Sequence, residues 1–215
     1  MKCFVALFVM SLLLFGCASN SLFMDARPSG DGPYRMNIGG SLRGTLTDSA
    51  GVKSLKNVDA SFLPVDFMLE GGVGDQADVF LKYTIPVTVN FGFKYAFDDM
   101  NPRQFHYSAL GFSIGTDLKT LFKDSTNKDP ALYFDMRVPF YQTIAFSKYL
   151  SFSIIPNAIM RVDDRYFQVL AGANANIKVG NFLGLCLEGS YMHNFRYEPE
   201  YQFGLNFFFP WRLGR

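Results

Sequence analysis

An excess of charge of either sign is missing from this 215-residue chain, which sets 20 Lys+Arg against 19 Asp+Glu. Without a basic surplus it lacks the electrostatic footprint that nucleic-acid binding needs, so no nucleic-acid partner is expected. Cysteine is scarce, three in all. Cys3 lies in the opening apolar run and Cys17 just after it, which leaves Cys186 without a partner for an internal disulfide. Disulfide stapling is therefore excluded as a source of stability. Only two histidines occur, His106 and His193, and neither sits in a Cys/His cluster, so no metal and no cofactor are expected. No Gly-rich phosphate loop of the required spacing appears. Beyond the first sixteen residues there is no apolar run long enough for a membrane-crossing helix. Aromatic side chains, in contrast, make up 17% of residues, with 24 Phe and 11 Tyr. High apolar content without helical spans points to a closed barrel, which satisfies every backbone polar group within lipid.

Periodicity carries the structural reading. From Val79 to Phe97 the odd positions are Val, Leu, Tyr, Ile, Val, Val, Phe, Phe, Tyr and Phe, while the even ones include Lys82, Thr84, Thr88, Asn90, Gly92 and Lys94. The period is two, not 3.6. One strand of that length would run roughly 60 Å, more than a bilayer needs, so it must fold back. Pro86 cannot donate to a ladder, and a three- or five-residue loop keeps the odd positions on one face, so a tight hairpin is predicted around Ile85-Pro86-Val87. The same alternation recurs along Tyr34–Leu46, Leu63–Glu70, Phe105–Thr116, Leu132–Phe140, Leu150–Arg161, Phe167–Asn176, Leu183–Tyr191 and Tyr201–Phe209. The resulting expectation is an all-β, antiparallel up-and-down transmembrane β-barrel of about ten strands, with eight possible.

Both ends of the chain support export. In the last strand, Tyr201, Phe203, Leu205, Phe207 and Phe209 face one way. Gln202, Gly204, Phe207 and Phe209 occupy the places of a polar, Gly, apolar and aromatic pattern that resembles the assembly signal of bacterial outer-membrane β-barrels. That resemblance implies barrel-assembly machinery and outer-membrane lipids, including lipopolysaccharide, as partners. Such barrels usually stop at the aromatic, whereas this chain continues through Pro210, Trp211 and Arg215. At the other end, Met1-Lys2 and the apolar run from Cys3 to Phe15 read as an export signal. Leu14-Phe15-Gly16-Cys17 resembles a bacterial lipobox, implying lipidation at Cys17; ordinary cleavage after Ala18 is the rival reading. The residues after Cys17 lack the aspartate that in lipoproteins holds products at the inner membrane, so the resemblance implies an outer-membrane address.

The expected organisation is a signal peptide over 1–16, a lipid-anchored flexible tether over 17–33, a barrel over 34–209 and a short extension over 210–215. Pro28, Gly30, Gly32 and Pro33 support the tether. An even strand number puts both ends on the periplasmic side. Connections near 47–59 and 117–130 are long, and those near 72–76, 143–148 and 178–181 are short, as that orientation requires. If the polar face lines the lumen, Arg35, Arg43, Asp66, Glu70, Lys82, Lys94, Asp135, Arg137 and Glu188 pair there and fill it, which disfavours an open pore. A soluble lipocalin-like lipoprotein that binds apolar ligands would instead turn its apolar face inward.

His106-Tyr107-Ser108 is the sole local hint of chemistry. His106 and Ser108, two apart on a strand, share a face, so the histidine could act as base for a serine nucleophile. The trio resembles the His-x-Ser element of outer-membrane lipid A deacylases, implying an ester hydrolase acting on lipopolysaccharide. In that family Asn follows the Ser and a Glu orients the His; here Ala109 follows, and Asp117 is the acid nearby. A strand-end His and Ser at the membrane interface is the plainer reading. Asp98-Asp99 and Asp163-Asp164 read as solvated turn caps rather than calcium ligands. The functional expectation is a non-enzymatic barrel (lipo)protein with a structural or surface role or slow passage of small solutes.

Overall fold

The computed structural model describes residues 22–29, 34–49, 52–56, 65–85, 88–98, 104–117, 134–162, 167–180, 183–196 and 199–211; side chains at 43–49, 52–56, 117 and 210–211 are outside the description. Eleven strands follow in chain order: β1 Tyr34–Ser49, β2 Val52–Lys56, β3 Val65–Val73, β4 Ala77–Ile85, β5 Thr88–Ala96, β6 His106–Asp117, β7 Phe134–Ala145, β8 Leu150–Val162, β9 Phe167–Gly180, β10 Gly184–Asn194 and β11 Glu200–Trp211. Each pairs antiparallel with its neighbour, and β11 returns to pair with β1, from Tyr34↔Trp211 to Thr45↔Glu200. Ten strands thus close into an antiparallel barrel. β2 pairs with β1 alone, at Thr45–Ser49, and extends one wall as a hairpin within the connection that the sequence reads as a plain loop.

The alternation seen in the sequence sorts side chains cleanly between two faces. Outward positions carry large apolar groups that remain exposed, such as Leu81, Phe91 (60%), Phe93, Val138, Ile154, Ile177, Leu187 and Phe203 (62%). Inward positions carry Asp66, Glu70, Asp78, Lys82, Lys94, Asp135, Arg137, Lys178 and Glu188, all buried. The lipocalin-like alternative is thereby corrected: the period-two pattern points most large hydrophobics away from the lumen and the charged side chains into it. Apolar groups also occur inside. Met68, Phe80, Tyr141, Ile155, Ile159, Leu170, Met192 and Phe208 occupy inward positions. Small residues make room for them, as at Gly92, where a Cβ would lie 2.4 Å from the Phe80 ring.

The β4–β5 ladder closes at Thr84↔Thr88, leaving three residues between, of which Pro86 and Val87 are outside the description. The mouth where β1 begins and β11 ends is here the terminal mouth; the opposite one is the loop mouth. Tight turns at the terminal mouth use Gly74 at φ 80° and Gly180 at φ 116°, conformations that glycine adopts without a Cβ clash.

One expectation is overturned. Residues 22–29, placed by the sequence in a flexible tether, lie inside the barrel: Leu22, Phe23, Met24, Asp25, Ala26 and Ser29 are each at most 5% exposed. The prolines and glycines nearby suggested an open linker, but the lumen supplies hydrogen-bond partners for the backbone of this stretch.

Candidate functional site

The lumen and the segment that fills it are the site. Inward positions of β3, β4, β5, β7, β8, β9 and β10 near the terminal mouth contribute groups that meet the segment. Glu188 of β10 accepts the consecutive N–H groups of Leu22 (2.8 Å) and Phe23 (2.7 Å), and Asn174 of β9 donates to the same carboxylate at 2.8 Å. Asn176 of β9 donates to the Met24 carbonyl at 2.8 Å, and Thr143 of β7 accepts the Ala26 N–H at 2.8 Å. Ser29 donates its N–H to Asp78 of β4 at 2.9 Å and its hydroxyl to Glu70 of β3 at 3.2 Å.

Lys94 of β5 ties this network together. Its ammonium donates to the carbonyls of Asp25 and Arg27, both at 2.9 Å, and pairs with Asp78 at 2.8 Å and Glu70 at 3.5 Å. Asp25 is gripped in turn by Arg27 at 2.6 Å and Lys178 of β9 at 3.4 Å. Charges this deeply buried persist only when paired and hydrogen-bonded, and breaking one partner strands the other. Phe23 adopts φ 52°. A bulky residue there costs about 1–2 kcal/mol, which the clamp on its N–H and the Lys82 ammonium 5.9 Å above its ring offset.

Towards the loop mouth the described inward side chains pair with one another. Asp66 accepts the Thr84 hydroxyl at 2.6 Å and pairs with Lys82 at 3.4 Å; Arg137 grips Asp135 two residues away; Arg161 reaches Glu200 at 3.5 Å. Of the remaining sequence candidates, Arg35 is half-buried at an inward register position, and the side chain of Arg43 lies outside the description. Gln202 points inward and donates to Ser41 of β1 at 2.5 Å, across the seam; Gly204 pairs with Ser41 in register; Phe207 is exposed and Phe209 half-buried on the outer face. Cys17 lies outside the described residues.

His106 and Ser108 sit at the start of β6 by the terminal mouth, on the outer face. Both meet the Gln142 side-chain carbonyl, the histidine Nε2 at 2.8 Å and the serine hydroxyl at 3.3 Å, while Asp98 accepts the Ser108 backbone N–H at 2.7 Å. The histidine ring thus faces an amide where a base–serine pair would need it to face the hydroxyl, and the nearby carboxylate is engaged with backbone. Among the described residues no cluster of His, Cys, Asp and Glu is arranged to hold a metal.

Sequence reading missed Asp25, Arg27 and Asp78, and missed what Lys94, Lys178 and Glu188 hold. One signal was present: Leu22, Phe23 and Met24 are three bulky apolar residues in a row, unsuited to a solvated tether.

No protein-family model matches this chain, and no curated protein does. Among solved structures, the translocator domain of autotransporter NalP from Neisseria meningitidis is similar over 97% of this chain and 95% of that one, with a TM-score of 0.36 and 8% identity. At that level the likeness adds nothing to what the strand pairing already shows.

Proposed function

We propose that this protein is an integral outer-membrane β-barrel of a bacterium, non-enzymatic, with its lumen closed by its own N-terminal segment and with a structural or surface role rather than free passage of solutes. The observation that carries this is the inversion of polarity: a belt of exposed Phe, Leu, Ile and Val outside and paired charges within. In water such a surface would be an aggregation hazard, and in a bilayer it is the ordinary lipid-facing wall. The closing-strand pattern through Gln202, Gly204, Phe207 and Phe209 and the export signal before Cys17 support the same address, with acyl chains at Cys17 as an added anchor. The occupied lumen disfavours open diffusion, because a buried stretch of chain lies across it near the terminal mouth, tied to the wall by hydrogen bonds and ion pairs. The test is membrane fractionation followed by denaturing gels with and without boiling. A heat-shifted band in the outer-membrane fraction that withstands carbonate bears the proposal out; a carbonate-released band without a shift sinks it.

A further inference from the structure

Residues 22–29 belong to no helix or strand, so their main-chain groups do not satisfy one another as regular structure does. Side chains of the wall take them up instead. Seven of these eight residues each give one main-chain group to the wall: Leu22, Phe23, Ala26 and Ser29 an N–H, and Met24, Asp25 and Arg27 a carbonyl. Pro28 is the eighth. The wall offers acceptors at Glu188, Thr143 and Asp78 and donors at Asn176 and Lys94, drawn from five strands around the lumen. Peptide groups are common to every sequence, but their order along a chain is not symmetric, so this set of donors and acceptors fixes direction and register.

Glu188 shows the adaptation most plainly. It is a buried carboxylate that forms no ion pair among the described residues; each of its oxygens takes one of two consecutive N–H groups, with the Asn174 amide beside them. The φ of 52° at Phe23 belongs to the geometry in which successive N–H groups converge on an anion. Among the described residues, one ion pair joins a side chain of the stretch to the wall, Asp25 with Lys178.

We propose that the terminal half of the lumen is a peptide-binding site, which holds a short peptide by its main-chain groups and takes one from a separate chain when its own segment is out of place. The ligand has a carboxylate at the fourth position, for Lys178, and a small residue at the fifth, where Ala26 is fully buried. Its second position favours positive φ. In the intact protein the covalent segment holds the site at an effective concentration on the order of mM, which excludes a free peptide. The inference rests on the reading of the lumen as closed by this segment, not on the membrane address.

The test uses the full chain carrying Phe23→Pro and Ala26→Pro. These remove N–H groups that Glu188 and Thr143 accept and forbid the positive φ, while every wall residue stays. The chain is refolded from urea into detergent together with an N-acetylated, C-amidated peptide of the Leu22–Ser29 sequence, so no route into a closed barrel is needed. Binding is read by anisotropy of a copy labelled at its C-terminal end, and stability by the temperature at which the heat-shifted form is lost. The peptide is expected to bind the variant and raise that temperature, and to leave the unaltered chain as it was. The same peptide N-methylated at the Phe23 and Ala26 positions keeps every side chain and should bind weaker by about tenfold or more. D-alanine at the Phe23 position should bind roughly fivefold or more tighter than L-alanine there, because positive φ suits it. Equal binding of parent and N-methylated peptides, equal binding to the unaltered chain, or no binding by a variant that gives the heat-shifted band overturns the proposal. If the double variant gives no such band with or without peptide, Ala26→Pro alone replaces it. A protein that carbonate strips from membranes yet binds the peptide in this way sinks the membrane reading and leaves the site standing.

Discussion

The two halves of the lumen solve the same problem in different ways. Near the loop mouth, most described buried charges meet close neighbours, Asp135 with Arg137 on the same strand and Asp66 with Lys82 and Thr84 on the next one, with Arg161 reaching Glu200 across the lumen as the exception. Near the terminal mouth, the partners are peptide groups of a segment far away in sequence, as Glu188 holds the backbone of Leu22 and Phe23, and Lys94 the carbonyls of Asp25 and Arg27. The loop half also carries inward apolar residues, Ile159, Leu170 and Met192, and buried amides at Asn90 and Asn157 with no hydrogen bond among the described residues. Local pairs make a strand wall self-sufficient. Long-range ties make the wall and its contents a single unit, so that the terminal half cannot be emptied without exposing unpaired charge.

Deleting residues 22–29 separates the halves most drastically. It removes the segment's hydrogen bonds to Glu188, Lys94 and Asp78 together, and planar-bilayer recordings should change from a silent protein to one with resolvable conductance steps, alongside a large fall in the unfolding midpoint. Next in size, Lys94→Met and Arg137→Met should each cost about 3–5 kcal/mol in urea unfolding, since each removes a hydrogen-bonded cation from a buried carboxylate. The two should part company in the bilayer: Lys94→Met loosens the segment and raises conductance, whereas Arg137→Met leaves it held. Equal conductance in both variants would erase the distinction drawn here. Leu81→Arg, on the outer face midway along β4, should cost about 2–4 kcal/mol in lipid vesicles and far less in water-rich detergent, because the penalty comes from hydrocarbon. Smallest of all, His106→Ala should change stability by less than about 0.5 kcal/mol, as expected of an exposed strand-end side chain, and should leave lipopolysaccharide ester content untouched on mass spectrometry.

The barrel wall was readable from the sequence because a strand whose two faces meet different surroundings must alternate, and Val79 to Phe97 alternates almost without error. The contents were not. Residues 22–29 have no period of their own, since each is fixed by whichever wall residue it meets, and Pro28 reads as a linker wherever it sits. Inward apolar residues such as Phe80, Ile155 and Met192 were hidden for a related reason: alternation assigns a position to a face, but says nothing of whether that face meets water, charge or a buried peptide. The β2 hairpin likewise sits where polar residues imply only a loop.

The seam between β1 and β11 sets the timing of enclosure. The first strand finds its second neighbour only in the final dozen residues, so until those residues are in place the N-terminal segment has no closed lumen around it. What the barrel contains is decided in the last step, when β11 meets β1, and a chain cut short before Glu200 would leave two long unpaired edges free to seek strands from other molecules. Closure of this barrel therefore rests on its last strand, the same strand whose Gln202 reaches across to Ser41.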